Sequence, residues 1–277
     1  MAATVADILS EGAGRLAAVT ETPRLDAEML LAHAMGLSRA SLLARLREPA
    51  DTSGFEVLLA RRLNYEPLAY IFGEWEFFGL PMYVVPPLLT PRPETEHLVE
   101  CALDFLFGQS SPCVVVDVCC GTGCVGVAIA RNAPGHRLYA VDLRRDAVET
   151  TRRNAARHGV FLEMVQGDLV SAFSPQVDII VANPPYVSED EWRELSPVIT
   201  RHEDPGALLA GKDGLDCIRR LVPDAARCLR PGGLFALEIG DTQSAVVADL
   251  LAAHGFYAVE CRRDLAGIQR VISGLRS

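Results

Sequence analysis

The sequence predicts an α/β fold: a mostly parallel sheet with helices on both faces, preceded by a small helical zone and a β-hairpin. Three observations lead there. From residue 113 onward, apolar runs of strand length alternate with helical segments, the pattern of repeated βα units. A glycine turn, Gly121-x-Gly123-x-x-Gly126, lies between the first such run and the first such helix. Residues 4–62, by contrast, are helical in pattern.

In the first zone, Asp26 to His33 reads as a helix that ends near Gly36. Ser41–Leu46 and Phe55–Leu63 continue the pattern across breaks at Pro49 and Gly54. The segment AYIFGEWEFFGLPMYVV, starting at Ala69, is aromatic-rich and partly alternating, which predicts a β-hairpin. PPLLTPRPETEHLVE then turns into a helix whose first turn carries Glu94 and Glu96, where acidic groups suit the helix dipole. CVVVDV, residues 113–118, is a continuous apolar run, as a strand buried on both faces should be. RLYAVDL, FLEMVQGD and VDIIVANPPY read as further strands, with RDAVETTRRNAARHG as a helix between the first two. GLDCIRRLVPDAARCLRPGG reads as a helix stopped by a Pro-Gly-Gly turn, and LFALEIG, YAVECRRD and QRVISG close the sheet. The expected organisation is a helical domain over 1–75, a hairpin linker over 76–90 and a sheet domain over 91–277.

Composition narrows the function. At 277 residues the chain has room for one large or two modest domains. Its 49% hydrophobic and 22% charged residues make an ordinary soluble profile. A net charge of −10 is poorly suited to tracking a phosphate backbone, so no direct nucleic-acid partner is expected. No apolar run reaches the roughly 18 to 20 residues of a membrane span, and Met1–Ser10 carries Asp7 without a basic start. The expectation is a cytoplasmic protein, without membrane attachment and monomeric. Cys119, Cys120 and Cys124 cluster, but no Cys/His set completes a zinc site, so the eight cysteines read as reduced and no metal is expected.

The chemistry sits where strands end. The glycine turn allows close backbone approach to a ligand, and Asp142 ends the next strand about 20 residues on, where a ribose hydroxyl can be bound. Asp117, at the end of the first strand, points to the same crevice, and Asp168 follows the third, where a carboxylate could accept from an adenine amino group. The fourth strand delivers Asn183-Pro184-Pro185-Tyr186 at its carboxyl end. Such an exit suits the holding of a planar nitrogen. The lone pair of an amide or exocyclic amine is delocalised, so a site helps by accepting both N–H hydrogens while charge builds on nitrogen. The Asn183 side-chain oxygen and a backbone carbonyl such as that of Pro184 can do this. Proline offers no N–H and fixes φ, so the carbonyls are held rigidly, and Tyr186 can supply a flat wall. In-line placement of such a nitrogen within about 3 to 3.5 Å of an electrophile supplies much of the catalysis.

Glycine loop, ribose acid, adenine-side acid and Asn-Pro-Pro-Tyr together resemble the class I S-adenosylmethionine-dependent methyltransferases. That resemblance implies a Rossmann-like sheet, mostly parallel, whose last strand is antiparallel; QRVISG is the candidate. The flanking segments are more specific. EPLAYIFGEWEFFGLPMYVVPPLLTPRPETEHLVE, HEDPGALLAGKDGLD, RPGGLFALEIG, RRDLAGIQRV and RLDAEMLLAHAMG are similar to the release-factor glutamine methyltransferases (HemK/PrmC type) over nearly the whole chain. The resemblance implies N5-methylation of the glutamine in the Gly-Gly-Gln loop of peptide chain release factors, with S-adenosyl-L-methionine as donor and S-adenosyl-L-homocysteine as product. Asn183, Pro184, Pro185 and Tyr186 would be catalytic and would hold the substrate amide, with Arg92, Pro93 and Glu94 at the pocket rim. Asp117, Gly121, Thr122, Gly123, Asp142, Asp168, Leu169 and Asn183 would hold the cofactor. Cys119 stands where that family often has glycine, and Trp75 where it often has a basic residue. The alternative is an amino methyltransferase acting on a nucleic-acid base or on a small-molecule amide or amine. Residues 1–80 carry seven Arg and eleven Asp or Glu, which makes them a poor backbone clamp and a candidate docking zone for a basic protein partner.

Overall fold

Thr4 starts the first helix. Its hydroxyl accepts the Asp7 N–H while the Asp7 carboxylate accepts the Thr4 N–H, a reciprocal capping box. The computed structural model describes residues 3–174 and 176–277. The chain divides into two units: residues up to Gly73 together with Ser196–His202, and Glu74–Leu195 together with Glu203–Ser277.

The smaller unit holds helices α1 (Val5–Leu16), α2 (Pro23–Ala34), α3 (Arg39–Leu43), α4 (Ser53–Leu63) and α5 (Leu68–Phe72). Leu9, Leu30, Leu31, Phe55 and Leu59 are at most 1% exposed and form its core. The Arg62 guanidinium meets the Asp26 carboxylate inside this core at 2.8 Å. Here the sequence expectation of a hairpin from Ala69 fails at its start. Leu68–Phe72 is helical, because Ala69, Tyr70 and Ile71 bury on one helical turn, and Gly73 ends it at φ 73°.

The hairpin begins at Glu74. Strands β1 (Glu74–Phe77) and β2 (Leu80–Tyr83) pair antiparallel across Phe78 and Gly79, both at positive φ as a two-residue hairpin turn requires. A 3-10 turn over Pro93–Thr95 then leads into α6 (Glu96–Phe107), so Glu94 precedes the α-helix instead of sitting in its first turn. The remaining elements are β3 (Val114–Val118), α7 (Cys124–Asn132), β4 (Arg137–Asp142), α8 (Arg145–Arg157), β5 (Glu163–Gln166), β6 (Val177–Ala182), α9 (Glu189–Glu194), α10 (Pro197–Thr200, in the smaller unit), α11 (Asp216–Cys228), β7 (Leu229–Glu238), α12 (Ser244–Ala253), β8 (Phe256–Arg263) and β9 (Gln269–Arg276).

The seven-stranded sheet runs β5-β4-β3-β6-β7-β9-β8. The first five strands are mutually parallel, and β9 is antiparallel to both neighbours. Residues of α6 and α7 share a core with one face of the sheet, and residues of α11 and α12 with the other. Two details depart from expectation. Helix α11 stops at Cys228, and Pro231-Gly232-Gly233 lies inside β7. Pairing there jumps from Val177↔Leu229 to Ile179↔Leu234, a bulge that Gly232 permits at φ 75°. Helix α12 was not anticipated; it buries only the i, i+4 pair Val247 and Leu251, a narrow signal. Among the described residues no helix is long and apolar enough to cross a membrane.

Candidate active site

The order β4-β3-β6 reverses chain direction of growth between β3 and β6, and a crevice opens beyond the carboxyl ends of those strands. A cleft of about 540 Å3 lies there. That is inside the roughly 300 to 1,000 Å3 of small-molecule sites. The loops after β3, β4, β5 and β6 line it, together with Leu88–Arg92, Thr95 and parts of 204–220.

The glycine loop follows β3. Cys119, Gly121 and Gly123 have φ of 58°, 54° and 77°. Cys119 therefore occupies a left-handed position that disfavours side chains by roughly 1 to 2 kcal/mol. Gly121 has open space where a Cβ would lie, whereas a Cβ on Gly123 would come within 2.5 Å of the Thr151 side chain. Gly126 serves packing: a Cβ there would meet Leu162 at 2.8 Å and the Asp117 carboxylate at 3.0 Å. Helix α8 holds the loop from below. The Asn154 amide, fully buried, donates to the Thr122 carbonyl (2.8 Å) and the Tyr83 carbonyl (3.0 Å), and accepts the Tyr83 N–H (2.7 Å). Burial pushes the Cys120 and Cys124 thiols up, Cys124 to about 12.

The acidic residues differ from one another. Asp117 is 2% exposed and accepts the Gly126 N–H at 2.8 Å. Burial lifts its carboxyl to about 7, the Gly126 N–H opposes this, and the nearby Asp142 charge adds to it. Asp142 accepts the Gly121 and Arg144 N–H groups, each at 2.9 Å, and burial outweighs them to raise its carboxyl above the usual range. Asp168 lines the cleft as an exposed partner of Arg220 at 2.5 Å, with Leu169 beside it in the lining.

Asn183 and Pro185 line the cleft; Pro184 is buried behind them, and Tyr186 is not part of the lining. Instead, the Tyr186 hydroxyl donates to Glu238 Oε1 at 2.9 Å, and Gln243 Nε2 donates to the Tyr186 carbonyl at 2.9 Å. Asn183 Nδ2 donates to Thr95 Oγ1 at 3.2 Å, and Thr95 Oγ1 donates to Glu238 Oε2 at 2.6 Å. Of the rim residues, Arg92 lines the cleft and Pro93 and Glu94 do not. The Arg92 guanidinium binds the buried Glu203 carboxylate at 2.6 Å, while Arg144 binds Asp204 at 2.8 Å. These two pairs tether the 203–211 segment along the cleft. Thr90 Oγ1, also in the lining, is buried with no hydrogen-bond partner among the described residues. Sequence reasoning did not single out Thr90, Thr95, Asn154, Glu203 or Glu238. An acidic residue at a strand's carboxyl end, as in LEIG, is the one signal that could have marked Glu238.

Residues 7–73 match the family described as the PrmC N-terminal domain, and residues 103–198 the methyltransferase small domain. The release factor glutamine methyltransferase of Nitratidesulfovibrio vulgaris is 40% identical over 99% of this chain and 96% of that protein. That of Burkholderia pseudomallei is 42% identical over 90% of this chain and 91% of its own length. A solved methyltransferase from Pyrococcus furiosus has a TM-score of 0.54 at 18% identity over 79% of this chain and 97% of that one, a likeness of fold alone. With about 40% of its residues shared along nearly its whole length, the chain belongs to the release factor glutamine methyltransferase family.

Proposed function

We propose that the protein transfers a methyl group from S-adenosyl-L-methionine to the side-chain amide nitrogen of the glutamine in the Gly-Gly-Gln loop of peptide chain release factors. One observation supports this above the others: Asn183 and Pro185 line the same cleft as Gly121, Asp142 and Asp168. The acceptor for a planar N–H group thus stands beside the nucleoside-type loop.

The cleft's own groups fit such a cofactor. Gly121 at φ 54° leaves the loop backbone uncovered, Asp142 keeps lone pairs beyond the two N–H groups it accepts, and the orphaned Thr90 hydroxyl needs a polar partner. In this reading Asp142 takes the ribose hydroxyls, Thr122, Gly123 and Leu169 line the nucleoside, and Asp168 faces the adenine amino group. Asp117 holds the loop through the Gly126 N–H beside the same cleft. The bound cofactor supplies an electrophilic methyl on a sulfonium and leaves as S-adenosyl-L-homocysteine.

Asn183 Oδ1 accepts one N–H of the glutamine amide and the Pro184 carbonyl accepts the other. The nitrogen is thereby oriented, and positive charge developing on it is stabilised. The methylated nitrogen is strongly acidic, so its proton passes to water without a dedicated base. Arg92, held by Glu203, shapes the mouth. In this reading the smaller unit docks the body of the release factor, and the protein works in the cytoplasm as a monomer.

Radiolabelled methyl transfer tests the reading. Label should enter a purified release factor, and should not enter its Gln-to-Ala variant or duplex DNA. Label in the DNA with none in the release factor would overturn it.

A further inference from the structure

We propose that Glu238, acting through the Thr95 hydroxyl, fixes which end of the Asn183 side-chain amide faces the substrate, and so is a positioning residue for the transfer. The inference rests on the acceptor role given to Asn183 above. It starts from donor and acceptor counting. Burial pushes the Glu238 carboxyl up, and the two hydroxyl donors on it oppose this by favouring the ionised form, which only accepts: Tyr186 sits on Oε1 at 2.9 Å and Thr95 on Oε2 at 2.6 Å. A hydroxyl has one hydrogen. With it committed to Glu238, Thr95 Oγ1 can only accept from its other neighbour, Asn183, 3.2 Å away. Asn183 must then turn its NH2 toward Thr95 and its oxygen away from it.

The direction matters because the two ends of an amide are close to isosteric. Packing alone discriminates poorly between an Asn183 that presents an acceptor and one that presents two donors. Only the former can bind an amide N–H. The relay resolves this from three elements: Glu238 ends β7, Thr95 ends the 3-10 turn before α6, and Asn183 follows β6. Glu238 and Thr95 are each 2% exposed, so water does not compete for the relay. Glu238 itself is not part of the cleft lining, and both its oxygens are taken, which sets it apart from a general base. Tyr186 is drawn into the same device as the second donor, and this accounts for its position behind the cleft wall.

Steady-state kinetics on the intact full-length protein test the relay. The variants are Glu238→Gln, Thr95→Val, Thr95→Ser, Asn183→Ala and the double Asn183→Ala/Glu238→Gln, with cofactor affinity measured by calorimetry. Glutamine keeps the shape of Glu238 but brings an NH2, which, turned toward Thr95, lets Thr95 donate to Asn183 and inverts the amide; turned toward the Tyr186 hydroxyl it leaves the relay intact, so Thr95→Val decides if Glu238→Gln alone runs near the wild-type rate. Glu238→Gln and Thr95→Val should each lower kcat by about 10- to 100-fold, the usual scale for groups that orient a reacting side chain. Cofactor affinity should stay within about twofold. Thr95→Ser retains the hydroxyl and should stay within about threefold of the wild-type kcat. The double variant should be no slower than Asn183→Ala, since without the amide there is nothing to orient. If Asn183→Ala is slow but Glu238→Gln and Thr95→Val run near the wild-type rate, the relay is wrong and the acceptor role stands. If Asn183→Ala itself runs near the wild-type rate, the acceptor role falls and the relay with it. Further loss in the double variant, or equal loss in Thr95→Ser and Thr95→Val, would assign Glu238 a merely structural role and also overturn the proposal. If Glu238→Gln fails to fold, the Thr95 pair decides.

Discussion

Asp117 is a carboxyl taken out of water against a like-charged neighbour, Asp142, and that sets a pH signature. In the unfolded chain such a group loses its proton near pH 3.9. In the folded protein it keeps the proton up to about 7. Folding therefore binds a proton between those values, and stability is lost as pH rises from about 4 to about 7. The full loss is on the order of 4 kcal/mol above that window. Asp117→Asn keeps an acceptor for the Gly126 N–H and never ionises. Its melting temperature should exceed the wild type's at pH 8, with a margin that shrinks by pH 4.5. The same margin at both pH values would mean that ionisation of Asp117 is not the cause. Asp142 carries the binding counterpart. Charge-assisted hydrogen bonds are worth roughly 1.5 to 3 kcal/mol each. Asp142→Ala should therefore weaken S-adenosyl-L-methionine binding at least tenfold by calorimetry, and unchanged affinity would rule out the ribose assignment.

At the scale of elements, the glycine loop, α8 and the hairpin form one mechanical unit through Asn154. Replacing it by alanine strands the Thr122 and Tyr83 carbonyls and the Tyr83 N–H in an apolar setting. Each buried orphan costs about 1 to 3 kcal/mol. Asn154→Ala should thus lower stability by about 3 kcal/mol or more and raise the cofactor Kd, although Asn154 acts on the cleft only through the Thr122 carbonyl and is not itself part of the lining. Denaturant unfolding with an unchanged midpoint would refute it. This coupling also marks where sequence reading stops. The β3–glycine turn–α7 unit was legible because four buried strand residues and three glycines each leave a one-dimensional trace. The exit motif after β6 was legible for the same reason. Thr95, Glu238 and Asn183 were not seen as a group, because Thr95 and Glu238 lie 143 positions apart and meet only when the sheet is assembled. Leu68–Phe72 was misread because a short apolar aromatic run has no decisive period; burial of one helical turn settled it. Pro231-Gly232-Gly233 was taken for a helix stop because turn chemistry and bulge chemistry use the same residues.

At the scale of the molecule, the smaller unit holds none of the cleft-lining residues, yet it takes up about a quarter of the chain. A glutamine on a loop of a folded partner needs that loop positioned as well as a pocket. The smaller unit is built to be firm: a buried Arg62–Asp26 pair, and Glu28 bound by both Arg24 and Arg39 at 2.7 Å. Residues 1–80, with seven Arg and eleven Asp or Glu, suit a basic partner surface, as a protein that approaches ribosomal RNA must carry. Removing residues 1–73 tests the docking role, provided the shortened chain still melts cooperatively and binds cofactor. Segment 196–202 stays behind in that chain, and it loses the partners it has in the smaller unit, where His202 Nε2 lies 3.0 Å from the Asn64 carbonyl and Arg201 stacks over Tyr65. Cofactor binding therefore has to be checked before any rate is compared. On a short Gly-Gly-Gln peptide, the shortened and full-length proteins should then have similar kcat/KM. On the intact release factor, the shortened protein should lose most of its kcat/KM, chiefly through KM. The full-length protein's advantage should also shrink as salt screens the charges over a Debye length of about 10 Å at 0.1 M. Equal loss on peptide and intact factor would instead make the smaller unit a cover for its neighbour, and no loss on the intact factor would leave it without a part in substrate capture.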